Sequence, residues 1–111
     1  MTNKAPLFDG TNFSFWEGRM RTYLMSLGAD VWEVVENGYT KPIVLANRDD
    51  KLEFGFNAKT MNAILSGLSE FEFVKVMDFE SAKEMWYKLI SSYGGNEKVK
   101  GAKLQNYRKD E

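Results

Sequence analysis

The chain contains neither cysteine nor histidine among its 111 residues. The missing cysteine excludes disulfides and thiol nucleophiles, and the two absences together remove the thiolate and imidazole ligands of zinc sites. Imidazole bases, the commonest groups in proton-transfer catalysis, are excluded as well. We therefore expect no metal site and no cofactor. A cytosolic or nuclear protein fits a chain without cysteine.

Long apolar runs are also absent, and no stretch approaches the roughly 20 residues of a membrane span. Residues 1–10 lack the apolar centre of a signal peptide, so neither membrane insertion nor secretion is expected. The formal net charge of −1 argues against binding polyanions through bulk charge. Hydrophobic residues make up 43% of the chain, which is enough for one domain with one core.

Apolar residues recur at helical spacing along most of the chain, and alternating strand patterns with hairpin turns are absent. Residues 1–10 are expected to form an extended lead-in whose Leu7 and Phe8 pack back on the fold. Helices are predicted over residues 12–27, 30–36, 49–68, 69–77, 82–93 and 97–109. The valines of the second segment also permit a strand there. The fold class is a small, compact all-α bundle of five to six helices.

The predicted helix 49–68 is expected to lie at the centre of the fold, because it carries two apolar faces. One face contains Phe54, Ala58, Met61, Ile64, Leu65 and Leu68, and the opposite face contains Leu52, Phe56 and Ala63. Two faces predict neighbours on both sides. Gly67 is expected to end the helix in a left-handed cap, and a close crossing by another helix would explain Gly55 in its interior.

Serine–glutamate pairs at capping-box spacing mark two later helix starts, Ser69 with Glu72 and Ser81 with Glu84. The shorter of these two helices is expected to use Phe71, Phe73, Val74 and Met77 as its apolar residues. In the loop before the central helix, residues 43–45 are apolar and are expected to tuck against the core.

Nine residues on the apolar faces are interpreted as core positions rather than chemical groups. They are Trp16, Met20, Leu24, Trp32, Leu65, Met85, Trp86, Leu89 and Tyr93. Phe15, Met25 and Tyr87 fall off these faces, so they are candidates for a self-association surface. Scattered exposed apolar residues are equally ordinary, and that interpretation stays open.

Neighbouring carboxylates occur at Asp49-Asp50 and at Asp78 with Glu80. Paired carboxylates catalyse reactions only where a pocket separates their pKa values, and here each pair precedes a helix start, where negative charge suits the helix dipole. No catalytic residue is assigned, and an enzyme is not expected.

The last predicted helix carries a basic run that is a candidate for RNA contact. Its members are Lys98, Lys100, Lys103, Arg108 and Lys109. We favour a solvated face instead, because Glu97, Asp110 and Glu111 dilute the charge.

The order and spacing of these motifs resemble the Gag polyprotein of copia-type LTR retrotransposons, plant elements in particular. The first matching motif is Leu7-Phe8-Asp9-Gly10-Thr11-Asn12-Phe13 with Trp16, Met20 and Leu24, and the second is Val31-Trp32-Glu33-Val34-Val35-Glu36-Asn37-Gly38-Tyr39. The third is Ala58 with Asn62–Leu68, and the fourth is Ser81-Ala82-Lys83-Glu84-Met85-Trp86-Tyr87-Lys88-Leu89 with Ser92-Tyr93. The last is Lys98-Val99-Lys100 with Leu104-Gln105. The resemblance covers nearly the whole chain. Its individual motifs are mostly spaced apolar residues.

The resemblance implies a capsid-type protein similar to the N-terminal lobe of retroviral capsids. Residues 11–93 would form the all-α lobe, and residues 94–111 a hinge and the start of a connecting helix. The family pattern runs on past residue 109, so a truncated form or a shortened relative is expected. The zinc knuckle of longer relatives is missing.

The function implied is structural self-association into a cytoplasmic virus-like particle around element RNA, as part of a transposable element. RNA contact would come mostly from regions outside this chain, and neither a membrane nor a small-molecule substrate is expected. The alternative is a domesticated Gag-derived host protein that acts as an interaction adaptor or blocks capsid assembly.

Overall fold

The computed structural model describes residues 4–94, which form five α-helices and a final π-helical turn. The helices are α1 (Phe13–Leu27), α2 (Ala29–Asn37), α3 (Arg48–Ser66), α4 (Glu70–Val76) and α5 (Ala82–Leu89), and the π-helical turn is Ile90–Gly94. The predicted all-α bundle is confirmed. The alternative strand is wrong, since its valines lie in α2. The helix predicted over 97–109 lies outside the described residues.

Six aromatic rings in mutual contact run through the core, and we call them the aromatic row. They are Phe8, Phe13, Trp16, Tyr93, Trp86 and Trp32. Phe8 lies in the middle of three rings, with centroids 5.4 Å from Phe13, 5.1 Å from Trp16 and 4.9 Å from Tyr93. Trp86 connects the other end, at 5.8 Å from Trp16 and 5.7 Å from Trp32. The row therefore joins the lead-in to α1, α5, the π-helical turn and α2.

The lead-in is held by its backbone as well as by Phe8. The Phe8 amide donates to the Gly67 carbonyl at 2.7 Å, and the Ser69 amide donates to the Phe8 carbonyl at 3.0 Å. The Trp16 indole donates to the Pro6 carbonyl at 2.9 Å. The Phe8 side chain is fully buried as expected, whereas Leu7 is exposed.

The two predicted apolar faces of α3 are only partly correct, because the buried face of this helix is partly polar. It consists of Asn57, Thr60, Ala63 and Ile64, while Leu52 and Phe54 are exposed. The Asn57 side chain donates to the Glu80 carbonyl and accepts from the Ala82 amide, both at 3.0 Å. Thr60 donates within its own helix to the Phe56 carbonyl at 2.7 Å. Burying these polar groups is tolerated because each has a partner.

Several smaller expectations about loops and helix ends are corrected. Gly67 has φ −100°, which is not left-handed, and a Cβ on Gly55 would meet nothing within 4 Å, so none of the described helices crosses there. Ile43 and Val44 are exposed rather than packed. The Ser81 cap is confirmed, since its side chain accepts from the Glu84 amide at 3.2 Å. None of the described helices has the length and apolar content needed to cross a membrane.

Gly67 and Gly55 make a matched pair for testing how closely the lead-in packs. A Cβ on Gly67 would lie 2.5 Å from the Pro6 carbonyl oxygen and collide with the Met20 methyl group, whereas one on Gly55 has open space. Gly67→Ala is expected to lower the free energy of unfolding by about 1–3 kcal/mol. Gly55→Ala should raise it by up to about 1 kcal/mol. Urea denaturation followed by circular dichroism measures both, and equal effects of the two substitutions would contradict this packing.

Candidate self-association surfaces

The nine residues expected in the core fall into two groups. Six are buried, namely Trp16, Met20, Leu24, Met85, Trp86 and Leu89. Trp32, Leu65 and Tyr93 are partly buried and pack against that core. Four of the nine belong to α1 or α2 and the other five to α3, α5 or the π-helical turn, so the set holds the bundle together.

The three candidate surface residues are exposed on two different helices. Phe15 is 59% exposed and lies on the outer side of α1, with the Arg19 guanidinium 5.6 Å from its ring centroid. Met25 is also exposed on α1, ten residues later, or about 15 Å along the helix axis. Tyr87 is 50% exposed on α5, where it lines a groove with Lys83 and residues 37–41. Phe15 and Met25 therefore share an element, and Tyr87 belongs to another.

A shallow depression lies where the lead-in meets α1, and Lys4 and Pro6 line it from the lead-in side. Its volume is about 370 Å³, and its lining from α1 includes Gly18, Thr22 and Ser26. A Cβ on Gly18 would have no described atom within 4 Å. The two charged residues in the lining are basic, Lys4 and Arg19. Arg19 joins the depression to Phe15, whose ring centroid lies 5.6 Å from its guanidinium.

The apolar face of α4 was expected in the core, and this expectation is wrong. Phe71 is 69% exposed, and Val74 and Met77 are about half exposed. These residues are three apart, so they lie on one side of the helix. The inner side buries Glu72 and Val76, and Phe73 is only partly buried against the core.

A buried carboxylate explains the orientation of α4. Glu72 is only 1% exposed, and it accepts hydrogen bonds of 2.6 and 2.7 Å from the Tyr93 hydroxyl. Lys75 lies 3.3 Å from Glu72 and donates to the Tyr93 oxygen at 3.0 Å. The hydrogen bond to Tyr93 is the main cause that raises the pKa of Lys75, so the ammonium stays charged beside the carboxylate. We call these three residues the Glu72 network.

Sequence reasoning missed the Glu72 network because it assigned Glu72 to a capping box. Ser69 precedes α4 but makes no side-chain capping hydrogen bond. The partner that decides the position of Glu72 is instead Tyr93, 21 residues later. The sequence does show the Tyr93 hydroxyl at the end of an apolar face. It does not show that Glu72 accepts a hydrogen bond from this hydroxyl.

The apolar side of α3 that was expected to be covered lines an open groove. The groove has a volume of about 470 Å³, and its apolar lining consists of Tyr39, Phe54, Ala58, Met61, Leu65 and Phe79. The Tyr39 hydroxyl is buried without a hydrogen-bond partner, and burial raises the pKa of Tyr39. Lys41 lies 5.4 Å from the Phe54 ring centroid at this groove.

The carboxylate pairs considered for catalysis lie at helix ends in the structure. Asp49 and Asp50 are in the first turn of α3, where the Asp50 amide donates to the capping Asn47 at 2.8 Å. Asp78 and Glu80 are exposed between α4 and α5. Within residues 4–94, acidic side chains do not gather into a metal-binding group of three or more. The basic run, Lys98, Lys100, Lys103, Arg108 and Lys109, lies outside the described residues.

Residues 20–109 match the family described as the gag-polypeptide of LTR copia-type. The chain belongs to this copia-type Gag family. A Gag region is a structural part of its polyprotein, so the chain has a Gag-like structural role. No curated protein and no solved structure gives a significant match to this Gag chain.

The Glu72 network predicts that the Tyr93 hydroxyl contributes much more to the stability of this Gag chain than the Tyr87 hydroxyl does. Tyr93→Phe removes the donor to a buried carboxylate and should lower the free energy of unfolding by about 1–3 kcal/mol. Tyr87→Phe removes a hydroxyl from an exposed side chain and should change it by less than about 0.5 kcal/mol. Urea unfolding curves of both variants test this, and a neutral Tyr93→Phe would refute the network's role.

Proposed function

We propose that this Gag chain is a capsid-type structural protein that associates with itself to build a virus-like particle around element RNA. The observation that carries the proposal is the outer surface of a Gag-family bundle, where 11 large apolar side chains are exposed within residues 4–94. Single exposed apolar residues are ordinary, but Phe71, Val74 and Met77 lie together on one side of α4, and α1 exposes Phe15 and Met25. Such patches are typical of protein–protein contact sites.

Self-association of this kind does not require a strong individual contact. A contact between two different patches joins each copy to the next and closes into a ring when the rotation allows it. A particle makes many such contacts at once, so a modest interface is sufficient. Phe15, Met25 and Tyr87 are proposed as subunit contacts, since each is exposed and they belong to two helices.

The proposed organisation has three parts within a cytoplasmic particle. Residues 11–93 form a lobe of the retroviral capsid type, and the lead-in predicted over residues 1–10 precedes it. The hinge and connecting helix predicted over residues 94–111 lie, apart from Gly94, outside the described residues. The contacts of Phe8 with Phe13 and Trp16 support a lead-in that is fastened to the lobe. Contact between the basic run and RNA remains a prediction from sequence.

The proposal predicts assembly that depends on exposed apolar residues. Sedimentation of the wild-type chain over a wide concentration range should show mass rising with concentration, and electron microscopy should show rings, tubes or shells. Phe15→Ser with Tyr87→Ser should abolish assembly and leave a folded monomer, because both side chains are exposed.

Ile43→Ser is the matched control, since Ile43 is an exposed apolar residue that belongs to a loop rather than to either of these helices. It should assemble like the wild type. A wild-type chain that stays monomeric at every concentration would overturn the proposed function. Assembly that survives the double substitution would overturn the assignment of Phe15 and Tyr87.

A further inference from the structure

The apolar face of α4, formed by Phe71, Val74 and Met77, cannot be buried by a rotation of the helix. Such a rotation would bring Glu72 out of its contacts with Tyr93 and Lys75 and expose the fully buried Val76. The face is therefore a stable feature of the outside of the bundle. The described residues leave this face uncovered, and exposed apolar faces of this kind are typical of sites that bind a partner.

The charges at the two ends of the α4 face are acidic. Glu70 and Asp78 are exposed at its two ends. The cation of this helix, Lys75, lies 4.2 Å from the Phe71 ring centroid, but the buried carboxylate of Glu72, 3.3 Å away, balances its charge. The border of the face is thus left with negative charge.

The outer face of α1 has the opposite character. Lys4 and Arg19 line its depression, and carboxylates are absent from the lining among the described residues. The acidic residue of α1, Glu17, lies 3.9 Å from Arg21 of the same helix. Phe15 adds exposed apolar surface beside Arg19, and Met25 is exposed further along the same helix.

We infer that the α4 face of one copy packs on the outer face of α1 of the next copy. This inference rests on the proposed function and names the two surfaces that carry it. Pairing α4 with α4 would bring acidic borders together, and pairing α1 with α1 would bring basic ones together. Pairing α4 with α1 matches opposite charges, which favours this pairing and disfavours the other two. Because the two patches differ, the contact repeats from copy to copy.

Two substitutions block one face each without removing a core contact. Gly18→Gln places a long polar side chain in the α1 depression, where nothing lies within 4 Å of a Cβ, and glutamine favours a helix more than glycine does. Phe71→Gln removes the most exposed apolar side chain of α4. Each variant of the full chain should raise the dissociation constant for self-association about tenfold or more. Ile43→Gln should assemble like the wild type.

The deciding sample is an equimolar mixture of Gly18→Gln and Phe71→Gln chains. The first variant keeps its α4 face and the second keeps its α1 face, so one intact contact remains between them. Sedimentation velocity should show each variant alone as a monomer and the mixture as a dimer with nothing larger. A mixture that stays monomeric, or either variant assembling alone like the wild type, would overturn the pairing.

The wild-type run separates this inference from the proposed function. If the wild type assembles and the mixture fails to dimerise, particle formation stands and the α1–α4 pairing is wrong. A wild type that is monomeric throughout overturns both.

A charge exchange tests the electrostatic part of the same contact. Arg19→Glu and Glu70→Lys should each weaken assembly about tenfold at low salt, because each places like charges across the contact. Both substitutions in one chain restore opposite charges and should return assembly toward the wild-type level. If the double variant assembles more weakly than either single variant, the pairing is overturned. In an interface formed by other residues, the second substitution could not restore the assembly that the first one weakened.

Discussion

The fold depends on the ring contacts that Phe8 makes at the centre of the aromatic row. Phe8 is completely buried, and the rings of Phe13, Trp16 and Tyr93 surround it at 4.9–5.4 Å. Its backbone also bridges to Leu68 at the junction of α3 and α4. One residue of the lead-in therefore fixes α1, the π-helical turn and the α3–α4 junction relative to one another. Aromatic pairs add about 0.5–1.5 kcal/mol each beyond the area that they bury, so these contacts carry much of the bundle's specificity.

Tyr93 connects this core to the outer surface. Its ring packs on Phe8 and Phe13, while its hydroxyl donates to the buried carboxylate of Glu72. A buried carboxylate without partners would cost several kcal/mol, so the Glu72 side of α4 must face Tyr93 and Lys75. The apolar side of α4 is then left outside. The exposed apolar surface of α4 is thus decided by a polar contact in the interior.

The sequence predicts the five described α-helices and most of their bounds, because apolar residues repeat with the helical period. It fails for the orientation of α3 and α4, since periodicity treats Asn57 and Glu72 as outward-facing. Their partners are Ala82 and Tyr93, which lie 25 and 21 residues further along the chain. Periodicity within one helix contains no information about such distant hydrogen bonds.

The same limit shaped the prediction of the candidate surface. Phe15 and Tyr87 were singled out because they lie off their apolar faces, and the structure exposes both. Phe71 lies within an apolar pattern, so the pattern placed it inside. Only the burial of Glu72, which the structure reveals, shows that Phe71 lies on the outer side of α4.

The short length of α4 makes its outer face depend on the interior. With seven residues, α4 is too short to be stable as an isolated helix in water, so its tertiary contacts must hold it. Those contacts are the Glu72 network, the burial of Val76 and the packing of Phe73 against the core. A copy whose network is broken therefore loses the arrangement of Phe71, Val74 and Met77 together with local stability. The apolar patch is therefore a property of the correctly folded chain, because its three residues share one side only while α4 is formed.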